Sequence, residues 1–451
     1  MVASTHDTIC MQLASVASAI SHSPLPEKIV EEVRLCLLDF LTSTLAAPMT
    51  PMIAETATLF GDGPARLLHT EAPISVAGAT FVHGFLSTVE DIDDAHALAS
   101  GMHLSATTFP AILALAQSLE FSGAIFLRAA IAGYEIAGRL CRSMDEGLRA
   151  RGFHASGAIG PFASCVAAGI ILRLDREQMV HAFGIAASGA GGTFAFQTTG
   201  ADSRHMHAAN AGVVGLTAAM AAKNGATGPI TAFEGPDGFI GSHSETCDRE
   251  FIDSPAPTND SDYEILNVYH KLFSACGHAI PAITRALDLR QNRPLPTAQI
   301  ERIKIYGYRA SARLVTFPTS TVSEAKFSLP VIFSLAYLYG DVSPKEMKTD
   351  VIQRPDVQAL ASKIEVYESA SHTSALPRIR SGSVEIVRQD GQTDYLSTKV
   401  PIGMRGNRLT IENILRKFDV FTTLTLERAR SESIVSRVMA LNDTKTGYAV
   451  F

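Results

Sequence analysis

At 451 residues the chain exceeds what one hydrophobic core usually organises, so two domains are the default expectation. Hydrophobic residues make up 46% and charged residues 18%, a balance that excludes a disordered chain and suits closely packed helices. The formal net charge of -7 offers no basic footprint for nucleic acid or for an anionic membrane surface.

The opening stretch MVASTHDTICMQLASVASAI has no cationic start followed by a continuous apolar run, and longer apolar runs elsewhere are broken by Gly, Arg or Glu. Neither a secretory leader nor a membrane span is expected. Cys10, Cys36, Cys141, Cys165, Cys247 and Cys276 are scattered without a CxxC pair, which argues against a disulfide framework or a metal site and for a reducing, cytoplasmic compartment. The spacing predicts a helix over 27–47, with Ile29, Val30, Val33, Leu37, Leu38 and Phe40 on one broad face behind Pro26. Further helical periodicity covers 105–118, 122–144, 157–172, 176–187 and 206–224, separated by Gly, Pro or Asp breaks. Several of these runs are apolar nearly all round, as buried bundle helices are.

The pattern changes after about residue 266. Residues 299–308 read as a strand, and 384–387 with 395–400 flank Asp390-Gly391, a hairpin signal because both residues tolerate positive φ. Helical periodicity returns over 409–418 and 420–441, which lets the last stretch return to the first half.

Polar residues concentrate in a few places. Glu90-Asp91-Ile92-Asp93-Asp94-Ala95-His96 follows the apolar run 77–89 and is itself followed by His103 and Ser105. Carboxylates this close repel, so an exposed acidic turn is the ordinary reading, with some carboxylates available to orient a His or cap a helix. The spaced ligands and closing Glu of a calcium loop are missing. Arg151-Gly152-Phe153-His154 precedes a Gly- and Ala-rich helix, whose positive end favours a neutral imidazole suited to a general base; a satisfied structural histidine fits the same string. The segment 188–207, SGAGGTFAFQTTGADSRHMH, brings glycines to Arg204, His205 and His207 at a helix entry, forming either a carboxylate cradle or a solvated loop. It lacks the strand-to-helix GxGxxG context of a nucleotide site. Lys271 and His278, within HKLFSACGH, stand where the helical half gives way to mixed structure, a junction at which clefts form. No HExxH, GxSxG or P-loop spacing occurs, so proton transfer by His, Asp and Lys is the best-matched chemistry.

Taken together these strings resemble the MmgE/PrpD family. The resemblance runs through VHGFLSTVEDIDDAH with HLSATTFPAILALAQ, GFHASGAIGPFASCVAAG and HMHAANAGVVGLTAAMAAKNGATGP, then HKLFSACGHAIPAI, AKFSLPVIFSLA and RGNRLTIENILRKF. It implies a mostly α architecture with a smaller α+β lid domain: a helical domain from 1–266 and 404–451, the lid from 267–403, and a homodimer. The matching positions make Asp93, His103, His154 and Lys271 the catalytic candidates and Arg204, His207 and His278 the substrate-binding ones, with no metal and no cofactor. Where the family often reads Lys-Pro-x-His-x-Gly, this chain has Arg204-His205-Met206-His207-Ala208-Ala209, and Arg keeps the cation but is effectively always protonated. The resemblance implies a metal-independent lyase acting on a small di- or tricarboxylic acid. His103 and His154 would face the reacting carbon, Asp93 would orient one imidazole, and Arg204 and Lys271 would bind carboxylates. Elimination of water as in 2-methylcitrate dehydratase is the first expectation. Decarboxylation of the cis-aconitate type, epimerisation, and a carboxylate-binding member without turnover are the alternatives. Neither nucleic acid nor a membrane is an expected partner.

Overall fold

The computed structural model describes residues 7–443 apart from Ser100, Thr199, Arg405 and Leu424; Met1–His6, read above as carrying no leader, and 444–451 of the helical assignment lie outside the described residues. Thr8 caps α1 (Ile9–His22) by accepting from the Met11 amide, and α2 (Glu27–Ala46) starts after Pro26 and buries the stripe read from the sequence. The helical bundle continues through α3 (Val76–Leu86), α4 (Leu104–Ala116), α5 (Gly123–Ala150), α6 (Gly160–Ile171), α7 (Arg176–Gly189) and α8 (Ser203–Lys223). Abundant Gly and Ala let these helices approach closely. A Cβ at Gly215 would sit 2.3 Å from the Pro161 carbonyl oxygen, and one at Gly84 would sit 3.1 Å from Ala209 Cα. Those approaches bring the start of α8 against the end of α3, where the acidic motif begins.

The single helix expected over 157–172 is divided into a turn, Ala155–Ala158, and α6. Pro161 has no N–H to offer the Gly157 carbonyl, so the ladder restarts there. No single helix among the described residues is long and apolar enough to cross a membrane, although α2 and Pro51–Phe60, bent at 110°, pass by length and composition together.

The smaller α+β part gathers its own apolar core around Ile303, Ile305, Leu329, Ile332, Phe333 and Ile386. Its link to the bundle is a short antiparallel pair, β1 (Ala95–His96) with β2 (Val268–Tyr269), which lays the acidic motif beside the segment leading to Lys271. A four-stranded sheet follows in the order β4-β3-β5-β6, from β3 (Ile300–Gly307), β4 (Ile364–Glu368), β5 (Gly382–Arg388) and β6 (Thr393–Thr398). β3 pairs with β4 in parallel and with β5 antiparallel, and α9 (Ile280–Asn292) and α10 (Leu329–Tyr339) belong to the same core. The β5–β6 hairpin turns at Asp390-Gly391 as expected, but only Gly391 takes positive φ, at 83°.

The two helices expected over 409–418 and 420–441 are α11 (Ile411–Thr422) and α12 (Arg428–Met439), with the break falling later than expected. The β-branched, locally hydrogen-bonding Thr422, Thr423 and Thr425 end the first one. α11 returns to α2, and its Lys417 is fully buried, bonded to Asp39 and to the Ile92 carbonyl inside the acidic motif. Replacing Lys417 by Met leaves the Asp39 charge buried with only His270 beside it; the expected loss is about 3–5 kcal/mol of unfolding free energy, read from denaturant melts, and an unchanged midpoint contradicts this.

Two buried histidines tie α3 to its surroundings, His83 to the segment before it and His205 to α8. His83 Nε2 accepts from the Leu68 amide at 3.1 Å, and His205 Nδ1 lies 2.9 Å from Thr88 Oγ1. Burial, with His69 nearby, pushes His83 down to about 3, and burial with Arg204 and Lys326 does the same to His205, also to about 3. The unfolded chain protonates these rings near pH ~6.5, so their stabilisation is complete above that and is lost as pH falls toward the folded values. Stability measured by urea melts is expected to drop between about pH 7 and about pH 5, by roughly 1.4 kcal/mol per pH unit for each ring once the unfolded form is protonated; a flat profile contradicts it.

Candidate active site

The acidic motif turns inward, against the ordinary reading. Asp91 takes a positive φ of 53°, a conformation Asp tolerates better than most residues, and the turn buries Asp91, Asp93 and Asp94. Each carboxylate has its own partners. Asp91 Oδ1 accepts from Arg204 Nη2 at 2.6 Å and from Lys271 Nζ at 2.5 Å. Asp93 Oδ2 lies 2.7 Å from His103 Nδ1, with Lys271 Nζ 3.6 Å from its other oxygen. Asp94 accepts from Ser105 N and Oγ and from the Tyr134 hydroxyl at 2.8 Å. Glu90, half-buried, pairs with Lys326 at 3.0 Å.

These partners divide the protonation states. Burial alone would raise Asp91, but Arg204 and Lys271 outweigh it and hold the carboxyl well below the usual range. Asp93 is likewise lowered against burial by His103 and Lys271. For Asp94 burial wins and the carboxyl is raised. Burial opposes the Lys271 charge, yet Asp91 and Asp93 push the ammonium above its ordinary value, so Lys271 acts as a fixed cation and not as a base.

A narrow cleft of about 50 Å³ opens beside this knot, and Asp91, His103, His154, Arg204, Lys271 and His278 all reach it. Asp93 stands behind His103. The ionised Asp93 accepts a hydrogen bond from His103 Nδ1, with the Asp94 carbonyl 3.1 Å from the same nitrogen, which leaves Nε2 as the ring nitrogen available to the cleft. His154 caps the turn Ala155–Ala158, its amide bonded to the Gly192 carbonyl at 2.9 Å. Phe194 and Phe196 meet its ring edge-on, and burial, reinforced by His103 and His207, pushes the imidazole well below its usual range, so it is neutral through burial and not through the helix end. The His103 and His154 ring centroids are 6.2 Å apart. That is a base and a second imidazole facing one space, an arrangement able to move protons on and off a carbon between them.

The remaining candidates are placed as follows. His207, assigned to substrate binding, does not line the cleft; it lies behind His154, with the two Nδ1 atoms 2.9 Å apart. Arg204 and Lys271 do line it, but both already bond to Asp91, so their charges are largely answered before any substrate arrives. His278 lines the cleft as expected, its Nδ1 2.8 Å from the Tyr308 hydroxyl, and burial with Arg380 and Arg149 nearby pushes it down to about 3.

Those two arginines were missed in the sequence. Arg149 lies over the Phe194 ring and donates to Gln197, and burial with Arg313 nearby lowers it to about 10. Arg380 donates to the Ala97 and Ala99 carbonyls. In each the Nη1 atom is buried without a hydrogen-bond partner, although Tyr308 and Asp145 already act on the Arg380 guanidinium. Arg149 stands close before His154 in DEGLRARGFH, so its place was readable in outline; Arg380, in PRIRSGS, carries no sequence signal toward the site. Among the described residues no group of His, Cys, Asp or Glu gathers as a metal site.

Residues 11–251 match the MmgE/PrpD N-terminal domain, and residues 273–441 match the MmgE/PrpD C-terminal domain. The chain is similar to cis-aconitate decarboxylase of Aspergillus terreus, 22% identical with 96% of this chain and 93% of that protein covered. Cis-aconitate decarboxylase of Homo sapiens is 24% identical, with 97% of this chain and 92% of that protein covered. A cis-aconitate decarboxylase-like protein of Aspergillus oryzae is also 24% identical, over 96% of this chain and 94% of its own length. With both domains matched in order along a mostly α chain that carries a smaller α+β domain, the protein belongs to the MmgE/PrpD family.

Proposed function

We propose that the protein is a lyase of small di- or tricarboxylic acids and that its reaction is loss of carbon dioxide from an unsaturated tricarboxylate of the cis-aconitate kind. The observation that carries the proton chemistry is the facing pair His103 and His154, one ring fixed by a buried carboxylate and the other held neutral. The substrate class follows from charge. The cleft is lined by Arg204 and Lys271 against Asp91, with Arg149 over Phe194 and Arg380 near Tyr269 behind that lining, and this surplus of cations favours a ligand with at least two carboxylates.

As the bond to the departing carboxyl breaks, its electron pair forms a new double bond and charge moves onto a remaining carboxylate, beside Lys271 and Arg204. Carbon then takes one proton, which His154 delivers. Phe194, Phe196 and Phe327 line the same cleft and give the departing carboxylate an apolar neighbour. The names of the relatives support this choice of bond. Dehydration, the first expectation from sequence, is the second reading, because His103 as base and His154 as acid also suit removal of an α-proton and a hydroxyl.

The test is NMR in deuterated water with cis-aconitate, citrate and 2-methylcitrate. Carbon dioxide release from cis-aconitate with one deuterium in the product is expected, and His103→Ala and His154→Ala should each lower kcat by about 10²–10⁴-fold. Water loss from a hydroxy acid would transfer the assignment to dehydration. No turnover of any compound, with carboxylate binding equal in parent and variants, would overturn the enzyme reading.

A further inference from the structure

A proton delivered to carbon inside a closed cleft has to be replaced from solvent in each turnover, and a neutral imidazole is a poor acid unless its other nitrogen receives a proton as the first leaves. His154 is such an imidazole, and its second nitrogen is already occupied. Its Nδ1 lies 2.9 Å from His207 Nδ1, so one proton is shared by the two nitrogens, and the ring centroids are 5.1 Å apart. The hydrogen bond between the two rings uses both Nδ1 atoms, which leaves the two Nε2 atoms as the outer ends of the pair. The His154 ring lines the cleft, whereas His207 does not line it and is only partly buried.

The contact is built by the fold. Gly192 has a φ of 130°, and a Cβ there would lie 3.1 Å from His207 Cδ2. The Gly192 carbonyl also accepts the His154 amide at 2.9 Å. One residue therefore leaves room for the His207 ring and fixes the backbone of His154. Phe196 meets both rings edge-on.

We propose that His207 is a positioning residue that sets the tautomer of His154 and feeds it solvent protons, so that the two imidazoles form a relay from the outside of the site to the reacting carbon. In the resting pair His207 donates its Nδ1 proton to His154 Nδ1, and His154 carries its own proton on Nε2, facing the cleft. On delivery the Nε2 proton of His154 goes to carbon, the Nδ1 proton of His207 moves to His154 Nδ1, and a solvent proton joins His207 Nε2. One proton enters and one leaves. As product departs, His154 Nε2 takes a proton from water, its Nδ1 proton returns to His207, and His207 Nε2 gives one to solvent, restoring the first state. The relay rests on the proton delivery by His154 given above.

The tautomer is read by neutron diffraction of the deuterated parent protein, and the relay by kinetics. A deuteron is expected on His207 Nδ1 and on His154 Nε2; one on His154 Nδ1 in the resting enzyme overturns the assignment. His207→Ala should lower kcat by at least about tenfold with KM changed much less, and added imidazole, entering the space left, should restore kcat along a saturating curve. His207→Phe, which fills that space, should lose kcat without rescue, and His154→Ala should not be rescued through this route. Retained kcat in His207→Ala, or a loss in it that imidazole does not relieve, overturns the relay. A parent without turnover would sink the lyase reading instead, and the deuteron positions would then decide the histidine pair by themselves.

Discussion

The arrangement depends on one buried carboxylate, Asp91, bonded at once to Arg204 and Lys271. These residues come from the turn after α3, from α8 and from the segment after β2, three parts of the chain with no local reason to meet. An ionised group this deep is tolerated only with its partners in place, so the knot specifies where the α+β part sits on the bundle. A second carboxylate-centred knot lies behind it. Asp39 on α2 takes Lys417 from α11 and His270, the neighbour of Lys271. Lys417 also bonds the Ile92 carbonyl, between Asp91 and Asp93. The acidic turn is thus held from both sides, and Asp93 and His103 inherit their geometry from it.

This economy of charge shapes what the cleft can bind. Cations that line it are already answered by Asp91 and Asp93, and in the proposed reaction they hold the site and stabilise the developing charge. Arg149 and Arg380 are different, each with a buried Nη1 that has no partner. One belongs to α5 of the bundle and the other to the approach to β5, so a polyanion between them would contact both domains.

Much of this was legible in the sequence and some was not, for identifiable reasons. Helical periodicity marked α2 and α4 to α8 within a few residues, and the strings around Asp93, His103, His154, Lys271 and His278 marked the cleft. Repulsion among neighbouring carboxylates predicts solvent, and only the distant Arg204, Lys271, Ser105 and Tyr134 explain why Asp91 and Asp94 are buried instead. β4 went unread because it is a short edge strand whose pairing partner, β3, lies far back in the chain. His207 looked like a ligand residue from its motif, and only the fold shows that it sits against His154.

The most direct test of this account is a crystal structure of the protein with a saturated tricarboxylate bound, resolving which cations hold the carboxylates. The account predicts that Asp91 stays bonded to Arg204 and Lys271 and that carboxylates approach the free Nη1 atoms of Arg149 and Arg380. A structure in which Asp91 releases both cations to the ligand, leaving those two arginines as they are, would contradict it.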